Sequence, residues 1–459
     1  MSVPVGRRGQ LQVLLGVVGL LLARQRVNLP AAVEEARRLQ AMADSPEAAQ
    51  PGLGEELRGL ALINVGIAEF WSTRFEEAEQ HLQQGVALAR RIGRPFLEFT
   101  GLAYQALVEF ERSFARASER GRRAIELARR HGWSDEPTVG VPCMVLAAVL
   151  VWQGRPEEAE PWVQRAERIV RAEAEPAPAL GVSYVRGTLE LARGRDGDAL
   201  AAFRVAERQD EHLAAPHYLV HLVPLTRAWL LHALVRLGEL EQAEQVLAGL
   251  GDRDRDRGET RIAAAALRLA QGDPRAATAA LAPVLDGSAP LIWPSWLVEG
   301  LLLEAIARDA LGDASAARRA LERALDLAEP DSVLLPFLLF PAPGLLERHA
   351  RHGSAHLALI AQILGFLAGE TPAPRAAGPQ PLLDPVSKSE LRVLRYLPTH
   401  LTAQEIAGEL WVLANTVKTH MRILSAKLGA HGRAEAVDCA RAIGLLASLP
   451  HTACWAASA

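Results

Sequence analysis

Along the first 320 residues, apolar and polar positions follow one recurring pattern rather than a strand-like alternation. A small or turn-forming residue is followed five positions later by alanine, within a segment rich in Glu, Arg and Leu. The pairs are Gly154 and Ala159, Gly194 and Ala199, Gly238 and Ala243, Gly272 and Ala277, and Gly312 and Ala317. Less regular copies place Ala32, Ala78 and Ala117 at the same offset. Successive alanines stand 46, 39, 42, 40, 44, 34 and 40 residues apart. That period is what a stack of helical hairpins gives, each unit too small to bury its apolar face alone. The glycine falls where a first helix must stop, because it accepts the left-handed backbone of a C-terminal cap. Proline or acidic residues then open the second helix, where a missing N–H costs little and negative charge suits the helix dipole. The alanine lets the second helix approach its partner closely. The body is therefore expected to be all-α.

This body, residues 1–370, resembles a tetratricopeptide superhelix, with a longer and looser period than the standard of about 34 residues. A repeat stack supplies a surface and says little about its ligand. Its concave wall is expected to receive an effector, a small molecule or a protein; the alternative is a plain interaction scaffold. Trp293 and Trp296 could line a pocket there, although their helical spacing favours core packing. The apolar run 11–23 follows Arg7 and Arg8 and is too short to span a bilayer. It flows into a repeat-like segment and is expected to be a buried first helix, with a targeting or membrane-associated segment as the alternative.

Residues 371–382 are rich in Pro, Ala and Gly and read as a semi-extended spacer. Between 383 and 447 the helical pattern resumes four times, ahead of a tail at 448–459. The first helix opens at Ser387 with Glu390 three positions on, a capping box, and carries Leu391, Val393, Leu394 and Leu397. The second opens at Thr402 with Glu405 and carries Ile406, Ala407 and Leu410. A turn through Trp411 and Leu413 leads to a third helix from about Asn415 to Leu428, which Gly429 ends. The fourth runs from about Arg433 to Ile443. In the third helix Val417, Met421, Leu424 and Leu428 recur at intervals of 4, 3 and 4, while residues 411–433 hold Lys418, Arg422, Lys427 and Arg433 and no acidic residue. One face is apolar and the other basic. Two short helices joined by a tight turn, the second basic, form a helix-turn-helix, whose second helix enters the major groove of DNA.

Residues 384–446 resemble the LuxR-type DNA-binding domain. The resemblance rests on Glu390 and Leu394, on Glu405, Ile406 and Ala407, and on Thr416, Val417, Lys418 and His420. It continues through Lys427, Leu428 and Gly429, then Arg433, Ala436, Val437 and the closing Gly444, Leu445 and Leu446. With the repeats in front, the chain is similar to the large MalT-like regulators of that family, which usually carry an N-terminal ATPase module.

The resemblance implies a role for each position. Lys418, Thr419 and Arg422, with Asn415 and Thr416 at the helix start, would enter the major groove, where lysine and arginine donate to guanine O6 and N7. His420 would either contact DNA or pack. Lys427, Arg433, Thr402 and Gln404 would hold phosphates. The implied partners are double-stranded promoter DNA, bound as a homodimer on paired half-sites, and RNA polymerase, in the cytoplasm. Leu413 departs from the family, standing where a serine often caps the recognition helix; such a loss costs about 1 kcal/mol. Ser389 replaces a common basic residue, and Ala430, His431 and Gly432 replace a more regular turn. A repeat scaffold with a weak DNA-binding domain is the alternative reading, and a sigma-factor-like promoter reader a third.

Charge adds locality to this picture. The chain carries a net charge of −4. Residues 384–441 hold eight Lys and Arg against six Asp and Glu, so this stretch is +2 and the remainder about −6. All three lysines, Lys388, Lys418 and Lys427, fall here. With no lysine before position 388, no P-loop is present in this sequence, and neither GxGxxG nor GxSxG occurs in a fitting context. No enzymatic activity and no cofactor are expected. Cys143, Cys439 and Cys454 are odd in number and widely spaced, against a disulfide framework and a zinc site. His212, His217 and His221, and likewise His349, His352 and His356, are spaced like metal ligands but lack an HExxH arrangement, so ordinary surface or core histidines are expected.

Overall fold

Each alanine of the repeat pattern is buried in the first turns of the second helix of a hairpin. The computed structural model describes residues 5–43, 53–171, 175–211, 222–369, 388–394, 396–399, 401–410, 412–428, 430 and 432–442, and no strand occurs among them. The chain divides into two compact units, Met1–Thr371 and Pro372–Ala459. The spacer and the tail inferred from sequence lie outside the described residues.

The first unit is a stack of hairpins. They pair α1 (Val5–Gln25) with α2 (Leu29–Ala43), α3 (Leu53–Trp71) with α4 (Phe75–Arg91), α5 (Pro95–Phe110) with α6 (Phe114–Arg130), and α7 (Gly140–Trp152) with α8 (Pro156–Ile169). Then come α9 (Pro176–Ala192) with α10 (Asp196–Glu211), and α11 (Leu222–Leu237) with α12 (Leu240–Gly249). After the short α13 (Asp252–Arg255) follow α14 (Gly258–Ala270) with α15 (Pro274–Leu285), and α16 (Trp296–Ala310) with α17 (Ala314–Ala328). Each second helix before α17 also packs on the first helix of a later hairpin, and one core extends from Val27 to Ile363.

The turn chemistry follows the sequence. Gly154, Gly194, Gly238, Gly272 and Gly312 have φ between 68° and 79°. The amide after each bonds back to the helix it leaves, as Arg155 N to Leu150 O at 2.8 Å and Arg195 N to Glu190 O at 2.9 Å. This is the Schellman pattern, which satisfies carbonyls the helix end would leave bare. In the less regular copies Val27 (φ 53°) and Thr73 (φ 62°) hold the same left-handed position. Pro156 and Pro274 start their helices, and Asp273 and Asp313 accept the amides of Ala276 and Ala316 at 2.9 and 3.0 Å. Ala32, Ala78, Ala117, Ala159, Ala199, Ala243 and Ala277 have no exposed surface, and Ala317 has 1%.

The first helices form the inner wall. Every residue of α7 is buried, which suits a helix apolar on all sides and packed by α5, α8 and α9. A segment after α17 crosses back over the stack. Asp331 accepts the Phe114 amide at 2.9 Å, Leu334 N bonds to Trp152 O at 2.8 Å, and Arg236 bonds to Leu339 O at 2.8 Å. It includes α18 (Leu335–Leu339), after which α19 (Pro343–Arg351) and α20 (Leu357–Leu367) end the unit. Trp296 belongs to the core, with its ring 4.6 Å from that of Trp229, whereas Trp293 borders an internal cavity.

The expectation of a buried first helix is corrected in part. Leu20 and Ala23 pack with Ala32, Ala36 and Leu39 of α2. Leu14, Leu15, Val18, Leu21 and Leu22 are exposed, because α2 and α3 cover α1 from one side only. No described helix is long and apolar enough to cross a membrane. His212, His217 and His221 lie outside the described residues. His349 and His356 are buried and face α17: His349 Nε2 is 2.5 Å from Glu322 Oε2, and His356 lies 2.7 Å from Asp326 and 2.8 Å from Glu329.

At Gly194 a Cβ would touch nothing, so G194A should lose only backbone energy, about 1 kcal/mol. At Gly154 a Cβ would also press Leu338 at 3.1 Å, so G154A should cost more. Urea titration of both variants checks the order. Burial lowers the His356 pKa, but the hydrogen bonds and charges of Asp326 and Glu329 more than reverse this and raise it above 6.5. A raised folded pKa means the pairing contributes in full below the unfolded value and is lost as pH rises through the folded one. Protection of α20 amides from hydrogen exchange should therefore fall as pH climbs above about 6.5, after correction for intrinsic exchange, and H356Q should flatten the profile.

Candidate nucleic-acid interface

The second unit builds α21 (Lys388–Leu394), α22 (Ala403–Leu410), α23 (Ala414–Leu428) and α24 (Arg433–Ala442) around one apolar core. The starts of the helices lie within a residue or so of those read from sequence. Val417, Leu424 and Leu428 of α23 are buried against Val393, Leu394, Ile406 and Ala436, and Met421 packs at the edge. This fixes the roll of α23 and turns its other face outward. Asn415, Lys418, Thr419 and Arg422, spaced i, i+3, i+4 and i+7, are all exposed. Lys418 and Arg422 make no hydrogen bond or ion pair among the described residues, and α23 holds no acidic residue. Their charges are free to meet an anionic partner.

The start of α22 is held by a reciprocal cap. The Thr402 amide and hydroxyl each donate to Glu405 Oε2 at 2.7 Å, and the Glu405 amide donates back to Thr402 Oγ1 at 3.3 Å. These bonds hold the Glu405 carboxyl below its usual range. Gln404 is exposed beside them. At the head of α23 the cap is backbone alone: Leu413 O accepts from Thr416 at 2.9 Å and Val417 at 3.3 Å, while the Leu413 side chain is 77% exposed. Thr416 and His420 flank the outer face, half-buried, and His420 Nδ1 is enclosed without a hydrogen-bond partner.

Two family models match the chain. Residues 20–343 match one described as "MalT-like TPR region", and residues 384–440 one described as "Bacterial regulatory proteins, luxR family". The chain belongs to the MalT-like, LuxR-type regulators. Among solved structures it is similar to one titled "Crystal Structure of Rap Protein Complexed with Competence and Sporulation Factor". That likeness has 14% identity and a TM-score of 0.49, and covers 72% of this chain and 89% of that one. No curated protein matches.

Within this LuxR-type domain the structure separates the ten expected contact residues into two groups. Thr402, Gln404, Asn415, Lys418, Thr419 and Arg422 are exposed at the starts or outer faces of α22 and α23, with Thr416 and His420 beside them. Lys427 and Arg433 are engaged inside the domain. Lys427 Nζ sits 2.9 Å from the buried Glu390 of α21. Arg433 closes the end of the first helical segment: Nε donates to Leu397 O at 2.9 Å, and its terminal nitrogens donate to the carbonyls of Leu401, Thr399 and Tyr396 at 2.6, 2.8 and 3.2 Å. A motif cannot show this distinction, because a cation in it reads alike whether it meets phosphate or carbonyls. The capping function of Arg433 leaves no signal in spacing either, since its acceptors are backbone atoms more than 30 positions away.

R433A should strip four charge-assisted hydrogen bonds from the domain and cost about 2–3 kcal/mol, whereas K418A should stay within about 0.5 kcal/mol of the parent. Hydrogen exchange on α21 and α24 in the whole chain distinguishes the two.

Proposed function

We propose that this protein is a sequence-specific transcriptional regulator that reads promoter DNA with the outer face of α23, under control of an effector received by the repeat stack. One observation carries the reading. Asn415, Lys418, Thr419 and Arg422 share an exposed face whose opposite side is locked into the core, and no acidic side chain of α23 competes for the two cations. A rigid, basic helix face is what direct readout in the major groove requires. Lys418 and Arg422 donate to base edges, with Thr419 and Asn415 alongside. Thr416 and His420 border the groove. Thr402 and Gln404 place the start of α22 against the phosphate backbone, where a helix N-terminus attracts negative charge. Binding is by a homodimer on paired half-sites, RNA polymerase is the downstream partner, and the site of action is the cytoplasm.

The scaffold reading keeps one observation in its favour, the absence of a side-chain cap on α23 at Leu413. Phosphate-dependent binding separates the two, because a DNA binder loses affinity steeply as salt rises. Footprinting on a cognate promoter should show protection that K418A with R422A reduces by about 30-fold or more, each of the two lost base contacts being worth about 1–3 kcal/mol. Undiminished protection by the double variant sinks the assignment of α23. No binding to any promoter at low salt favours the scaffold.

A further inference from the structure

The turn into α23 breaks a local rule of helix starts. Leu413 stands directly before Ala414, where a Ser, Thr, Asn or Asp side chain would accept an amide of the first turn and leucine can accept none. The side chain gains nothing from the domain in exchange. It is 77% exposed, the most exposed of the large apolar side chains among the described residues, and it lies outside the domain's core. Val412 beside it is exposed as well. The backbone beneath the leucine is nevertheless pinned on both sides. The Val412 amide donates to Ala407 O at 3.0 Å, closing α22, and Leu413 O accepts the amides of Thr416 and Val417 at 2.9 and 3.3 Å. A fixed backbone thus carries an apolar side chain into solvent at the head of the helix that presents Lys418 and Arg422. Natural chains break such local rules chiefly at functional sites.

We propose that Leu413 is a specificity-determining residue that packs on the 5-methyl group of a thymine in the major groove. The proposal rests on the reading of α23 as the DNA-reading helix and adds a base that its two cations do not select. In a helix-turn-helix the N-terminal end of the second helix meets base edges. Thymine shows that groove one acceptor and a methyl group, and the methyl is recognised by apolar contact. Lysine and arginine select guanine instead, through O6 and N7. Leu413 precedes Lys418 by five residues. That spacing is about 7.5 Å of helix rise, or roughly two base-pair steps. The thymine and the guanine therefore belong to one half-site. Contact removes both the methyl and the leucine from water, which favours binding through a side chain that the free domain leaves in solvent. A protein partner fits this turn less well, because two apolar side chains fall far short of the roughly 800 Å² that one face of a standard interface buries.

The test uses the whole protein to select duplexes from a random-sequence library. Each thymine of the selected half-site is then replaced in turn by deoxyuridine, which lacks only the methyl. At one position the parent protein should lose affinity by about 4-fold per half-site, the worth of one buried methyl. L413A should lose the same factor on the thymine duplex and nothing further on the deoxyuridine duplex, while answering every other replacement as the parent does. L413S should lose methyl sensitivity in the same way, yet its restored cap should slow hydrogen exchange at the head of α23. Weaker binding by L413S then cannot be laid to a weaker helix. A selected half-site without thymine, deoxyuridine tolerated by the parent at every position, or an L413A that responds to deoxyuridine as the parent does overturns the proposal. No binding of any duplex by the parent at low salt sinks the reading of α23 and the proposal with it. Salt-sensitive binding without the methyl effect sinks the proposal alone.

Discussion

The repeat body depends on a close approach between helices at a left-handed turn. A first helix ends on a residue with positive φ, the next amide bonds back into the helix, and the second helix lays an alanine against its partner. Any larger side chain at that alanine would part the two helices, and in an interior packed to crystal density a single methylene is felt. Because each hairpin rests on its neighbours, the spacing at one alanine sets the position of the next first helix. The inner wall inherits its geometry from these contacts. So does the cavity, which lies where first helices from several hairpins converge.

Much of this was legible in the sequence because it is local. Glycine five residues before alanine marks both the cap and the close contact, and at all eight alanines the structure gives a residue with at most 1% exposure. Val27 and Thr73 were not legible as turn residues, since nothing about a β-branched side chain announces a left-handed backbone; tertiary packing holds them there. The fate of α1 was half legible. Its apolar character showed, but whether a neighbour covers both sides depends on where the stack places α2 and α3. The carboxyls of Glu111 and Glu259 could not be read at all. Each has an oxygen enclosed by residues distant in the sequence, which local spacing does not announce.

In the C-terminal unit the same contrast separates reading residues from holding residues. The 4, 3, 4 spacing of Val417, Met421, Leu424 and Leu428 fixes which way α23 faces, so the exposure of Lys418 and Arg422 follows from periodicity alone. Lys427 has the same charge, but it lies over a turn where Glu390 of another helix is buried. Removing one member of such a pair leaves the other buried without compensation, which costs more than the pair contributes. Its cation is therefore committed to the fold. Arg433 is committed more firmly, as a planar fork across carbonyls that no helix satisfies. Such internal use of basic residues leaves Lys418 and Arg422 as the cations of α23 not engaged within the domain among the described residues.

An unpaired carboxyl inside the repeat stack raises a thermodynamic question that its neighbours answer. Burying a polar group without a partner costs on the order of 1–3 kcal/mol, and a wall with several such atoms is less stable than an apolar one of the same shape. In a solenoid this cost is not confined to one unit, because stability there is a sum of repeat and interface contributions. A ligand that supplied the donor Glu259 Oε2 lacks would stabilise the hairpin of α14 and, through its interfaces, the neighbouring repeats. It can shift the protein between states only by the difference in its affinity for them.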